Sequence, residues 1–343
     1  MIPAIFGLSG PVLTREERAF FRDADPAGYI LFGRNVVDLA QVRALTGELR
    51  GLHGRDRLLI SIDQEGGRVA RMKPPVWPKY PAGEPFARLY DLAPASAITA
   101  ARANAEALGL DLAEAGISVD CWPCVDVRVP GAHDVIGDRA LGEEPLRVAA
   151  LGRAILDGLA AAGVAGVVKH MPGHGRATAD SHKELPTVTA TAAELERDLA
   201  PFRSLATRAL IGMTGHILFP AWDADHPATQ SATIVRDIIR GAIGFDGLLL
   251  TDDVDMQALS GTIPERAALG IAAGCDIVLN CWAKMDDMIG IAAACPVMPE
   301  GADARLARAL ADTAVPIAPD PARHADLVAR RDALLGLLDQ GGA

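Results

Sequence analysis

Eight short apolar runs punctuate the chain: Ala4–Gly7, Gly28–Phe32, Leu58–Ile62, Ile117–Asp120, Val164–Val168, Leu210–Met213, Gly247–Leu250 and Cys275–Leu279. Runs of this length read as strands buried on both faces. Longer stretches with helical character lie between them: Leu39–Leu52, Ala97–Ala115, Pro145–Ala162, Ala192–Arg208 and Ser231–Ile243. The last opens on a serine able to cap a helix and stops before Gly244. Strands alternating with helices build a parallel sheet, and eight of them close a barrel. The expected fold is therefore α/β, a (β/α)8 TIM-type barrel, with residues 1–343 forming one barrel domain. A doubly wound open sheet is the alternative. Ala302–Ala311 and Pro321–Leu338 are expected as additional C-terminal helices packed outside the barrel. The Pro-rich stretch Pro74–Pro85 is too short to link two domains.

In such a barrel the chemistry sits at the C-terminal ends of the strands. Here most apolar runs finish in ionisable residues. Leu59-Ile60-Ser61-Ile62 runs into Asp63-Gln64-Glu65-Gly66-Gly67-Arg68, with Arg71 beyond. Val119 leads to Asp120 and then Asp126, Met213 to Thr214-Gly215-His216, and Leu250 to Thr251-Asp252-Asp253. The densest case is Lys169-His170-Met171-Pro172-Gly173-His174-Gly175, followed by Asp180-Ser181-His182. Charged groups at the end of a buried strand are costly to place without a use, so this loop is a candidate active site. Gly173, Gly175 and the stretch Arg176–Ala179 suggest that it is mobile.

Composition narrows the chemistry. A formal net charge of −11 disfavours nucleic acid and anionic membrane surfaces as partners. The first residues carry no basic leader region, and no apolar run is long enough to span a bilayer. Five cysteines without a framework suit a reducing compartment, and the expected location is the cytoplasm. Cys121-Trp122-Pro123-Cys124 has the spacing of a redox pair but does not open a helix. No second pair completes a zinc ribbon, so buried thiols beside a strand end are expected.

The segments Lys169–Gly175, Asp180–His182, Asp63–Arg68 and Thr251–Asp253 together resemble the family-3 glycoside hydrolases, and within them the bacterial β-N-acetylhexosaminidases of cell-wall recycling. Met171 stands where many relatives carry Phe. The resemblance implies a retaining hydrolase that removes terminal non-reducing β-linked N-acetylglucosamine, through a covalent glycosyl-enzyme, from peptidoglycan (anhydro-muropeptide) fragments. It assigns Asp252 as nucleophile and His182, paired with Asp180, as the proton donor and acceptor. An imidazole, with an ordinary pKa of about 6.5, can play both parts near neutrality. Asp63, Arg71, Arg139, Lys169 and His170 are implied as sugar contacts, although a salt-bridge role is equally open for Arg139. Asp253, His174 and His216 are expected to be structural.

No cofactor and no metal are expected, and the partner is a small amino-sugar or muropeptide substrate bound by a monomer or weak homo-oligomer. A β-glucosidase or an N-acetylglucosaminide phosphorylase of the same family are the near alternatives. A metal-dependent barrel hydrolase is the rival of another class, since His170, His174, His182, His216, Asp180 and Asp252 offer ligands. Against it, the His-x-His pair that often opens such barrels is missing, and Lys169 would repel the ion. A non-catalytic sugar-binding barrel is a further possibility.

Overall fold

Each of the eight apolar runs forms a strand in a computed structural model that describes residues 1–340: β1 Ile2–Gly7, β2 Pro26–Leu31, β3 Leu59–Ile62, β4 Val119–Asp120, β5 Ala165–Met171, β6 Ile211–Thr214, β7 Leu248–Asp253 and β8 Ile277–Asn280. Neighbouring strands pair in parallel in chain order, and β8 returns to β1, so the sheet closes on itself. The open-sheet alternative is thereby overturned. Closure follows from burial on both faces. Ile5, Ile30, Val119, Val167, Ile211 and Ile277 fill the barrel interior, while alternate residues such as Phe6, Tyr29, Ile60 and Leu249 pack outward against helices.

The surrounding helices are α1 Arg15–Ala24, α2 Leu39–His53, α3 Gly83–Leu92, α4 Pro94–Glu114, α5 Pro145–Ala161, α6 Ala192–Leu205, α7 Ile263–Ala273 and α8 Met285–Ala294. Several begin with explicit caps: Thr14 with Glu17 opens α1, and Thr191 with Glu194 opens α6, each as a reciprocal capping box. The expected helix after Ser231 is present, and Ser231 Oγ accepts the Ile234 N–H at 3.1 Å. Its winding is different, however. Ile234–Ala242 is π-helical, and the Ile243 N–H reaches back five residues to Ile238 at 2.8 Å.

The C-terminal helices correct one expectation. α9, Ala302–Leu310, does not lie outside the barrel: Leu306, Ala309 and Leu310 join the interior cluster and plug its N-terminal mouth. Asp276, buried at the start of β8, holds the plug in place. Its carboxylate accepts from the Leu249 N–H at 2.8 Å, from Arg240 at 2.9 Å and from Arg305 of α9 at 2.6 and 3.0 Å. α10, Pro321–Leu335, does pack outside, on α4, through Arg323–Glu106 at 2.6 Å and Arg331–Asn104 at 3.2 Å. A short turn of helix, α11 Leu337–Gln340, follows. Among the described residues no helix is long and apolar enough to cross a membrane.

Candidate active site

At the opposite mouth of the barrel the strand ends surround a cavity of about 390 Å³. Seven of the eight residues put forward from the sequence line it: Asp63, Arg71, Arg139, Lys169, His170, His182 and Asp252. The eighth, Asp180, stands behind His182. The barrel brings together side chains that are up to 189 positions apart in the chain, from Asp63 to Asp252.

Asp252 occupies the penultimate position of β7. One of its oxygens, Oδ1, accepts the backbone N–H of Asp253 at 2.8 Å, which fixes the carboxylate and leaves Oδ2 toward the cavity. Burial works to raise its pKa, but His170, His216 and the Asp253 N–H outweigh it and hold the group below the ordinary carboxylate range. The carboxylate is ionised at neutral pH. Asp253 is engaged elsewhere. Its Oδ1 accepts the N–H groups of Asp255 at 3.2 Å and Cys281 at 3.1 Å, and its carbonyl accepts His216 Nε2 at 2.9 Å. Burial, with Asp255 adding to it, pushes the Asp253 carboxyl well up.

His182 and Asp180 meet as expected. The ring Nδ1 lies 2.8 Å from Asp180 Oδ1, and the same oxygen accepts the His182 backbone N–H at 3.0 Å. With Nδ1–H donated to the carboxylate, Nε2 is the atom free to exchange a proton in the cavity. Burial tends to raise the Asp180 pKa, and the His182 N–H and ring more than offset this, so it is held low. The His182 side chain is 65% exposed and Asp180 18%, which puts the pair on an open rim with its carboxylate end tucked in.

The loop carrying them is anchored more firmly than its glycines suggest. A Cβ on Gly175 would sit 1.8 Å from the Val127 carbonyl oxygen, so glycine is there for close backbone approach. Val129 N–H reaches the Gly175 carbonyl at 3.3 Å and His133 N–H the Ala177 carbonyl at 2.9 Å. Ser181, between the two functional residues, is buried, with its hydroxyl 3.2 Å from His174 Nε2. His174 itself is buried beneath the pair. Burial, helped by the neighbouring His170, lowers its pKa to about 4.

The remaining polar residues form one network. Asp63 accepts Lys169 Nζ at 3.0 Å and Arg71 Nη2 at 3.2 Å, and these cations overcome burial to keep its pKa low. Each oxygen retains a lone pair for a ligand hydroxyl. His170 donates Nδ1–H to Asp126 at 2.7 Å, so its Nε2 is the atom left for the cavity. Arg139 realises the salt-bridge role left open for it, gripping Glu65 through two bonds of 2.8 and 2.7 Å while still lining the cavity.

Glu65 and Asp126 are the functional neighbours that the sequence reading did not assign. Both are wholly buried acceptors, Glu65 for Arg139 and Lys169, Asp126 for His170, the His174 N–H at 2.6 Å and the Cys124 thiol at 3.2 Å. Glu65 was visible only as part of Asp63-Gln64-Glu65, and nothing in the sequence separates it from a surface glutamate. The cysteine pair meets expectation: both thiols are buried and unbridged, and burial pushes both pKa values well up. Among the described residues, Cys124, Asp126 and His170 come within 4.8 Å of one another, near enough to share a cation. Hydrogen bonds already join them, however, which makes them a self-satisfied cluster.

The model of the glycosyl hydrolase family 3 N-terminal domain matches residues 8–311 of the chain, ending just past α9. A beta-hexosaminidase of Aromatoleum aromaticum is 38% identical over 283 residues, covering 81% of this chain and 79% of that protein. One of Bordetella pertussis is 36% identical over 291 residues, covering 83% and 81%. Among solved structures, NagZ from Neisseria gonorrhoeae in complex with N-trifluoroacetyl-D-glucosamine superposes with a TM-score of 0.86 at 32% identity, covering 98% of this chain and 97% of that one. The beta-N-acetylhexosaminidase of Beutenbergia cavernae does so with a TM-score of 0.76 at 27% identity, covering 97% and 96%.

Proposed function

This chain belongs to glycosyl hydrolase family 3, and on that premise we propose that it is a β-N-acetylhexosaminidase that releases terminal β-linked N-acetylglucosamine with retention. The observation that carries this is the shared cavity. An ionised, fixed carboxylate (Asp252) and an imidazole with a free Nε2 (His182) face one space, which Asp63, Arg71, Lys169 and His170 line with groups for sugar hydroxyls and Phe32, Met213, Met256 and Leu279 line with apolar surface.

In the first step Asp252 Oδ2 attacks the anomeric carbon and forms a glycosyl ester. The glycosidic C–O bond breaks, and its oxygen leaves with the proton from His182 Nε2. In the second step water gives a proton to the same nitrogen and attacks the anomeric carbon, returning Asp252 as carboxylate. Asp180 holds the tautomer and stabilises the imidazolium, as a triad carboxylate does for its histidine. Histidine suits the site because it exchanges a proton near neutrality without placing another negative charge beside Asp252. Asp63 accepts from two adjacent hydroxyls of the sugar, while Arg71, Lys169, His170 and Arg139 donate to others.

The substrate proposed for the cell is N-acetylglucosamine β-1,4-linked to anhydro-muramic acid peptides, met in the cytoplasm. Relatives named beta-hexosaminidase and the bound amino sugar of the Neisseria structure support the sugar. Aryl β-glycosides test it: the N-acetylglucosaminide should turn over and the glucoside should not. NMR of the first-formed product should show the β-anomer. Release of sugar 1-phosphate only when phosphate is added would identify a phosphorylase instead.

A further inference from the structure

Trp282 is the one exposed tryptophan of the four: Trp77 and Trp122 are buried and Trp222 packs partly against the core, while Trp282 is 64% exposed. It stands just after β8, on the rim of the cavity that holds Asp252 and His182. Leaving an indole in water forfeits a large apolar burial, and here the indole is continuous with the apolar part of the cavity lining, Met256, Leu279 and Phe32, where a ligand would cover it.

The loop is built to hold it there. Asp255 Oδ2 accepts the backbone N–H groups of Cys281 at 3.1 Å and Trp282 at 3.3 Å, and the side chain of Asn280 at 2.7 Å. Asp253 Oδ1 takes the Cys281 N–H as well. On the other side the Arg34 guanidinium donates to the Cys281 carbonyl. Gly7, at the end of β1, lets that carbonyl approach: a Cβ there would lie 2.2 Å from it. Ala283, next in the chain, has φ of +56°, a left-handed conformation that costs a non-glycine residue energy. Five hydrogen bonds and a strained residue on one short turn fix the backbone that presents the indole.

We infer that Trp282 is the floor or wall of the leaving-group subsite, an aromatic platform for the C–H face of the sugar ring that follows the scissile bond. This deepens the hydrolase reading above and rests on it. A carbohydrate ring presents apolar C–H groups on one face, and an indole can cover that face without directional bonds. Such a surface accepts any β-linked ring of the right span, leaving the nonreducing sugar to be read by the charged groups deeper in the cavity. Asp255 acts as a positioning residue in this scheme, since its Oδ2 holds the loop backbone and Asn280.

The test compares two substrates whose leaving alcohols need similar protonation: the β-1,4-linked disaccharide of N-acetylglucosamine and methyl β-N-acetylglucosaminide. Only the first has a ring to stack. Trp282→Ala should lower kcat/KM for the disaccharide about tenfold, roughly what covering two ring carbons is worth, and leave the methyl glycoside within about twofold. Trp282→Phe should keep most of the disaccharide activity. Equal losses on both substrates, or no loss on the disaccharide, would overturn the subsite. In the second case the indole serves another surface, such as a protein partner. A wild-type chain that cleaves neither compound overturns the hydrolase reading, and the subsite with it.

Discussion

Glu65 and Arg139 face each other through two hydrogen bonds of 2.7 and 2.8 Å, with Lys169 Nζ 2.8 Å from the same carboxylate. All three groups are buried or nearly so, with side-chain exposures of 2% for Glu65, 11% for Arg139 and 3% for Lys169. Removing Glu65 would strand two cations beside a single remaining carboxylate, Asp63. Glu65→Ala is therefore expected to destabilise the fold by about 3–5 kcal/mol. Chemical denaturation read by circular dichroism checks this. A loss below about 1 kcal/mol would mean that water replaces Glu65 without difficulty.

Asp252→Ala should lower kcat by about 10³-fold or more, because no other carboxylate can form the glycosyl ester. A slow fluorinated substrate should leave its label on Asp252 in a peptide digest. Label on Asp253, which also lines the cavity and whose Oδ1 accepts two backbone N–H groups, would move the assignment by one residue.

His182→Ala should slow a natural disaccharide far more than a dinitrophenyl glycoside, whose leaving group departs unaided. Added azide, which needs no general base, should restore turnover of the activated substrate. Asp180→Asn should behave as a milder copy, because the imidazole stays while its tautomer is no longer set. Equal slowing of good and poor leaving groups, without rescue, would show that His182 orients the sugar and does not carry the proton.

Stability should fall as the pH drops from about 6.5 toward 4, before the carboxylates titrate. His174 is responsible: its pKa in the fold is about 4, against about 6.5 in the unfolded chain. Between those values the unfolded state binds a proton that the folded state refuses, so stability rises with pH and is fully present above about 6.5. The full difference is about 3 kcal/mol. Burial depresses His216 too, and it contributes with the same sign. Urea denaturation across this range should give the slope, and His174→Asn should flatten it. An unchanged slope in that variant would assign the effect to other groups.

Gly175→Ala should fold and lose activity, since its Cβ would collide with the Val127 carbonyl and push the Asp180–His182 pair from the rim. A displacement of about 1 Å is enough to cost about 10²-fold in rate. Activity within twofold of wild type, with an unchanged melting temperature, would mean that the loop absorbs the change away from His182.

The barrel and its strand ends were legible because burial on both faces leaves an unmistakable mark, an unbroken apolar run that ends where solvent and chemistry begin. Asp63, Lys169 and Asp252 all stand at such ends. What stayed hidden depends on partners far away in the chain. Glu65 becomes a buried ion only because Arg139, 74 residues on, folds back over it. Asp126 takes its role from His170, 44 residues on. The placement of α9 was misread for a related reason. Its apolar stripe is that of any amphipathic helix, and the sequence does not say that Asp276 will capture Arg305 and seat Leu306, Ala309 and Leu310 under the strands. Nor does the apolar pattern of Ile234–Ala242 distinguish π from α winding.

That plug has a bearing on how the molecule is made. The strands have all emerged from the ribosome once residue 280 is out, yet the hollow they enclose stays open to water at one end until residues 302–310 arrive. A nascent chain stalled in between would display a greasy socket, which makes this interval of translation the one in which holding chaperones have most to offer.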